Sequence, residues 1–369
     1  MSDVFERVPR AQKLLEQGIE QGLHIGAQLY ASVSGSPVVD GAVGEARAGQ
    51  PLRSDSLMLW MSAVKPLMSV AILQLRERGL LELSDPVCAH LPEFGQKGKD
   101  AITLLHVLTH TGGFRGADPM WSNAPAEEIV AGICAAEPDA GAVPGQSSAY
   151  HVAAAWYVLA AVVRRLDGRV YGEYVREEVL APIGSHDVWV GMPAEAHRAC
   201  RERIAPMHDT SGEAPKPFAF DPFSGSVTGC AIFRPGGAGW GPIRELAWLY
   251  EALLQGGERG GRILSPESVA LMTTRHTTGL LDESFGVVLE RGLGLVIDSK
   301  CIAGGGNWFG ERCSTASFGH GGFGISVGFA DPGYELALGL VFNGMLEHER
   351  HEERMRAVID AVYDDLGLG

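Results

Sequence analysis

The sequence predicts an α+β fold: one antiparallel sheet assembled from both ends of the chain, flanked by helices, with a mainly helical lobe inserted between its two halves. Three observations carry this. Short β-type runs bounded by Gly, Pro or Asp lie near residues 24–43 and recur from 294 to 342; the stretch from Ser62 to about Gly168 has a helical pattern; and a last helix spans about Glu347 to Leu366. The expected division is a discontinuous α/β domain, residues 1–55 and 230–369, around a helical lobe, residues 56–229. An active site is expected in the cleft between them.

In chain order, Met1 to Arg7 reads as the start of an amphipathic helix. His24 to Val33 and Pro37 to Val43 read as two strands joined by a glycine turn at Gly35. Turn signals at Asp85-Pro86, Gly112-Gly113 and Pro144-Gly145 divide the helical middle. Residues 186–229, rich in His, Pro, Gly and Ser, read as a long connection or part of a pocket wall. Helices are expected over Pro242 to Gln255 and Pro266 to Thr274. Strands follow at Gly294–Ile297, Gly324–Ala330 and Glu335–Phe342, the last two joined by the turn Asp331-Pro332-Gly333.

Composition narrows the function. The 369 residues suit one large domain or two intimately joined ones. Forty-five acidic against thirty basic residues give a net charge of −15, with no basic cluster, which argues against nucleic acid or an anionic membrane surface as partner. The N-terminus lacks the apolar core of a secretory signal and no apolar run is long enough to span a bilayer, so a cytoplasmic location is expected. The six cysteines show no C-x-x-C spacing, so neither a zinc ribbon nor a redox pair is indicated. Most are expected as reduced thiols in the core; Cys301 and Cys313 flank a glycine-rich loop where pairing under oxidation is conceivable.

The most informative stretch is Met61-Ser62-Ala63-Val64-Lys65-Pro66, which holds the S-x-x-K spacing of serine acyl-enzyme chemistry. On a helix, positions i and i+3 share a face, so Lys65 can reach the Ser62 hydroxyl. A lysine takes a proton from serine only if burial and nearby positive charge lower its pKa. Four letters alone are common on exposed helices. Here the apolar runs Leu57 to Met61 and Val70 to Leu75 flank the pair, so both residues are expected to start a buried helix. His106 and His110 stand at i and i+4, a spacing that can hold zinc, but no Glu follows His106 and a structural role is favoured; no metal is expected. Gly304 to Gly306 and Gly319 to Gly324 lack the residues of a phosphate cradle and read as loops. Trp121, Trp156, Trp189, Trp240 and Trp308 are candidates for cleft walls, with core packing the default for any one of them.

With these landmarks in order, the chain resembles the class C β-lactamase-like family of penicillin-recognising serine enzymes, which includes D-alanyl peptidases, carboxylesterases and acyltransferases. The resemblance covers nearly the whole length and is densest from Met58 to Phe114, through Leu83-Ser84-Asp85-Pro86, Leu91-Pro92-Glu93-Phe94 and Leu105-His106-Val107-Leu108-Thr109-His110-Thr111-Gly112-Gly113. It recurs in Pro144-Gly145, Gly236 to Trp240, Ile263 to Glu267 and Phe318 to Gly322. It implies a β-lactamase/transpeptidase-like fold with Ser62 as nucleophile and Lys65 and Tyr150 managing protons. In the family's Y-x-N motif only Tyr150 is kept: Val152 stands for the asparagine that holds the substrate amide in lactam-cleaving relatives, and an apolar side chain cannot do that. The K-T-G motif reads His320-Gly321-Gly322, which removes a permanent charge from the cleft. The resemblance implies an oxyanion hole from the backbone N–H groups of Ser62 and Phe323, and a role for His320 in orienting Tyr150 or a substrate carbonyl. Phe114 and Trp121 are expected to shape the acyl pocket.

The expected function is therefore a serine enzyme that forms an acyl-enzyme from a small-molecule ester or activated acyl donor and passes the acyl group to water, an alcohol or an amine. A cytoplasmic address weakens cell-wall and antibiotic-defence roles. The rival readings are a β-lactamase or D-alanyl peptidase, and a non-catalytic binding protein that has kept the fold. No cofactor is implied. Acyl donor, acceptor and oligomeric state stay open.

Overall fold

The computed structural model describes residues 4–212, 214–218 and 221–369. The expected N-terminal helix lies later than its sequence signal: Val4 to Arg7 form a turn, the Met1 to Asp3 part of that reading lies outside the described residues, and helix α1 runs Pro9–Glu20. Proline near the helix start explains the shift, because its fixed φ and missing N–H suit the first turn, where no donor is needed.

Eight antiparallel strands form the main sheet. Three come from the N-terminal segment, β1 (Gly26–Val33), β2 (Ser36–Arg47) and β3 (Gln50–Pro51). Five come from the C-terminal part, β4 (Glu290–Arg291), β5 (Val296–Ile297), β6 (Phe318–Gly322), β7 (Ser326–Asp331) and β8 (Leu336–Phe342). Their order is β4-β5-β6-β7-β8-β1-β2-β3. The two ends of the chain meet where β1 pairs with β8, in a register running from Ala27 opposite Phe342 to Val33 opposite Leu336. The turn between β7 and β8 is the expected one, and the Asp331 carboxylate accepts the Gly333 N–H at 2.9 Å.

Both faces of the sheet are covered, which explains why every residue of β8 is buried and apolar or glycine. Leu336, Leu338, Leu340 and Phe342 face α1 and the C-terminal helix, and Ala337 and Val341 face the opposite core, which includes the helix Ile243–Leu254. Small residues let that helix approach: a Cβ on Gly328 would stand 2.6 Å from Tyr250, and one on Gly339 would stand 2.8 Å from the Ile243 carbonyl.

The intervening chain is mainly helical. Its central helix α2 (Pro66–Glu77) is buried from Pro66 to Leu75, apolar all round save Ser69 and Gln74, as a core helix must be. Helix α3 (Ala154–Asp167) packs beside it and ends at Gly168, whose φ of 94° provides the left-handed cap. Of the irregular segment 186–229, the described part holds short pieces such as the helix Ala194–Cys200 and the strand His208–Asp209; Glu213, Ala219 and Phe220 lie outside the described residues. Helix α4 (Ile243–Leu254) and helix α5 (His348–Leu366) complete the layers. Cys301 and Cys313 are free thiols, the first exposed and the second buried. Among the described residues no helix is long and apolar enough to cross a membrane.

Candidate active site

Ser62 does not begin an α-helix directly. It stands in a short 3-10 turn, Met61–Val64, that feeds α2. The residue before it, Met61, has φ of 51°, a left-handed conformation costly for a side chain with a Cβ and sustained only by its surroundings. Those surroundings are specific. The Trp60 N–H donates to the Gly239 carbonyl at 2.8 Å, the Trp60 indole N–H donates to the Gly241 carbonyl at 2.9 Å, and the Trp60 carbonyl accepts the Ser326 hydroxyl at 2.6 Å. Strand β6 presses against the same turn: a Cβ on Gly322 would stand 2.1 Å from the Trp60 carbonyl oxygen. Only glycine fits there, so the turn that carries Ser62 and the strand carrying His320-Gly321-Gly322 are locked together.

Lys65 is fully buried. Its Nζ lies 3.0 Å from Ser62 Oγ, 2.9 Å from the Val152 carbonyl and 2.6 Å from the Gly236 carbonyl. Burial is the main reason its pKa falls to about 7; Arg291 adds to the fall and Asp118 opposes it. A neutral amine has two N–H bonds and one lone pair. With both N–H bonds directed at the two carbonyls, the lone pair faces Ser62 Oγ. The position where Val152 replaces an asparagine thus contributes its backbone, not its side chain.

Tyr150 is half-buried between the aromatic ring of His110, 4.8 Å between centroids, and Phe285 at 5.3 Å, with the His320 ring at 6.0 Å. Lys65 Nζ lies 5.1 Å and the Arg291 guanidinium 5.7 Å from its ring centre. Burial holds the phenol pKa well above its ordinary value, against the opposing pull of the Ser62 hydroxyl and Arg291. The group is therefore a neutral phenol at neutral pH. Its backbone is tethered by Asp282, whose Oδ1 accepts the Tyr150 N–H at 3.4 Å and whose Oδ2 pairs with Arg291 Nη2 at 2.5 Å.

His320 is also neutral: burial and the facing Lys65 bring its pKa down to about 3. Its Nδ1 lies 2.6 Å from the Gly321 carbonyl, which places the ring proton on Nδ1 and leaves the Nε2 lone pair without a partner among the described residues. His110 is buried at φ of 58° and accepts the His151 N–H at 2.9 Å. His106 serves elsewhere, its Nδ1 accepting the Thr103 N–H in a capping box. The two histidines do not converge, and among the described residues no cluster of three or more His, Cys, Asp or Glu side chains could hold a metal ion.

Ser62, Tyr150, Val152, Trp121, His320 with Gly321 and Gly322, and Phe323 line one cavity of about 780 Å³, a size suited to a small ester. Phe323, 57 % exposed, and Trp121, 37 % exposed, leave apolar surface open to solvent. Among the described residues, neither the Ser62 nor the Phe323 backbone N–H donates to a backbone acceptor. Phe114 does not reach the cavity, which corrects its expected role: it is fully buried behind the site, edge-on to Phe94 and 4.4 Å from the His151 ring. His151 likewise turns away from the cavity, with no solvent exposure.

The structure adds residues that sequence reasoning missed. Gly236 lay inside a recognised motif but without an assigned task. Asp118 accepts the Ala153 and Ala154 N–H groups at 2.8 and 3.1 Å, capping α3 from a distant loop and fixing the turn that presents Val152. Asp282 and Arg291 are single charges in unremarkable stretches, and no local pattern announces them.

Comparison with known proteins identifies the family. The Beta-lactamase family model matches residues 11–363. "Esterase/beta-lactamase LipL" of Mycobacterium tuberculosis is 30% identical over 349 residues, covering 87% of this chain and 77% of that protein. "Acyltransferase calJ" of Penicillium decumbens is 36% identical over 105 residues, 24% of this chain and 23% of that one. The crystal structure of a family VIII carboxylesterase superimposes with a TM-score of 0.82 at 26% identity, covering 98% of each chain. The fold is thus β-lactamase/transpeptidase-like, and the chain belongs to the beta-lactamase family as an enzyme of its serine hydrolase and acyltransferase kind.

Proposed function

We propose that the protein is an esterase-type enzyme that forms an acyl-enzyme on Ser62 from a small-molecule ester and passes the acyl group to water or to an alcohol or amine. The observation that supports this most is the environment of Lys65: two backbone carbonyls at 2.9 and 2.6 Å hold its N–H bonds, so a lone pair with pKa about 7 is aimed at the Ser62 hydroxyl. Lys65 takes the proton as Ser62 Oγ attacks the ester carbonyl, and the backbone N–H groups of Ser62 and Phe323 receive the developing oxyanion. Tyr150, kept protonated by burial, gives its proton to the departing alkoxide and is reprotonated through Lys65. In the second half-reaction the incoming water, alcohol or amine loses its proton along the same path in reverse and attacks the Ser62 ester.

Ester substrates are favoured over lactams because Val152 presents an apolar side chain where a hydrogen-bonding amide is needed, and because His320 is neutral where a cation would hold the lactam's carboxylate. The wild type is expected to turn over p-nitrophenyl esters at least a hundredfold faster than nitrocefin, measured as kcat/KM. Comparable turnover of nitrocefin would instead favour a β-lactamase. The same assays with added amines or alcohols, read by product analysis, separate transfer from hydrolysis.

Arg291 supports the catalytic phenol. It is 1 % exposed, faces the Tyr150 ring and is balanced by Asp282, which also holds the Tyr150 backbone. Arg291→Met should lower kcat about ten- to a hundredfold and destabilise the fold by about 3–5 kcal/mol, because Asp282 is left buried and unpaired. In Asp282→Asn/Arg291→Met the melting temperature should recover while kcat does not. Recovery of both would make the pair purely structural.

A further inference from the structure

The cavity wall holds a buried cation that the mechanism does not use. Arg234 is only 4 % exposed, lines the catalytic cavity and comes from the turn whose Gly236 carbonyl holds Lys65. Unlike Arg291, it pairs with no carboxylate among the described residues; the Tyr157 phenol nearby is kept protonated by burial, and burial lowers the pKa of Arg234. A guanidinium carries five N–H donors. Nη2 donates to the Trp121 carbonyl at 3.2 Å, the Ser122 carbonyl at 3.3 Å and Asn123 Oδ1 at 2.6 Å, whereas Nε and Nη1 have no acceptor among the described residues.

Burying a charge without a counterion is among the most costly arrangements in a protein, and bare N–H donors add to that cost. Bracing the 121–123 loop needs neither a charge nor the unused nitrogens, since a neutral amide donor suffices for carbonyl acceptors. An incoming anion would supply the missing charge and, with a small shift of the side chain, acceptors for the unused nitrogens. Guanidinium pairs with carboxylate more strongly than with neutral acceptors, and such a pair in a desolvated cavity discriminates well against an uncharged analogue. With His320 neutral, Arg291 paired with Asp282 and Arg115 exposed to solvent, Arg234 is a buried cation of the cavity wall that has no carboxylate partner among the described residues and two nitrogens left over.

We propose that Arg234 is the anion-binding group of the catalytic cavity and that the natural substrate carries a carboxylate in addition to its reactive ester. This rests on the ester-acting reading above and names its substrate class.

The test compares p-nitrophenyl half-esters of succinic, glutaric and adipic acids with their methyl-capped diesters. For at least one chain length the wild type should prefer the half-ester by tenfold or more in kcat/KM, and Arg234→Gln should cut that preference at least tenfold, with Arg234→Lys keeping part of it. Losses common to both esters, such as a displaced 121–123 loop, cancel in the ratio. Preference for the capped ester at every length, or a ratio unmoved by Arg234→Gln, would overturn the proposal and leave Arg234 as a loop brace. If no ester is turned over by the wild type, the acyl-enzyme reading fails, and the anion site is judged by titration calorimetry with monomethyl glutarate. Binding to the wild type that Arg234→Gln abolishes would support it, and absence of binding would overturn it.

Discussion

Ser62→Ala is expected to lose ester turnover by about ten-thousand-fold or more while melting within a degree or two of the parent. The loss is large because the covalent route ends when the nucleophile is removed, and the oxyanion donors that remain act only on a slow attack by water. The fold should tolerate the change because Ser62 is half-buried and its hydroxyl partner Lys65 keeps two carbonyl acceptors. Equal turnover by the two proteins in a p-nitrophenyl ester assay would remove Ser62 from the mechanism.

Lys65→Met should lower kcat/KM by about a hundred- to ten-thousand-fold, the usual worth of a positioned base. The pH profile of the wild type carries the sign of its role. In the proposed mechanism Lys65 acts as the neutral amine, so kcat/KM should rise as pH passes about 7 and level off above it. His320 and His151, with pKa values lowered to about 3 and about 4 by burial, and His110, lowered well below its ordinary value, stay neutral through this range and add no second step. The residual activity of Lys65→Met should lose the ionisation near 7. A profile that falls as pH rises through 7, or one unchanged in Lys65→Met, would assign the base elsewhere.

The legible part of the site was the local part. Ser62 and Lys65 could be read because their spacing places both on one turn and because the runs around them are apolar on every side, which only a buried segment allows. The sheet was legible from strands bounded by turn residues, as at Asp331-Pro332-Gly333. Tyr150 required resemblance, since one tyrosine in a loop has no local signature. What stayed hidden depends on pairing across long separations: Asp118 to Ala153, Asp282 to Arg291 and Lys65 to Gly236 are joined only by the tertiary fold. Phe114 failed for a related reason. An aromatic after a glycine pair suits a cavity wall and a core equally well, and the choice is made by the direction of its side chain, which here points onto Phe94. The strained φ of Met61 was invisible as well, because methionine carries no preference for that conformation; it is imposed by the strands that clamp Trp60.

In the proposed mechanism an acyl group becomes covalently attached to Ser62. Intact mass spectrometry of the wild type and Ser62→Ala, quenched in acid after mixing with a panel of p-nitrophenyl esters, tests it most directly. The mechanism predicts a mass increase equal to the acyl group in the wild type alone, located by peptide mapping on the segment that contains Ser62. An adduct of equal yield in Ser62→Ala, or one mapped to another residue in the wild type, would contradict it.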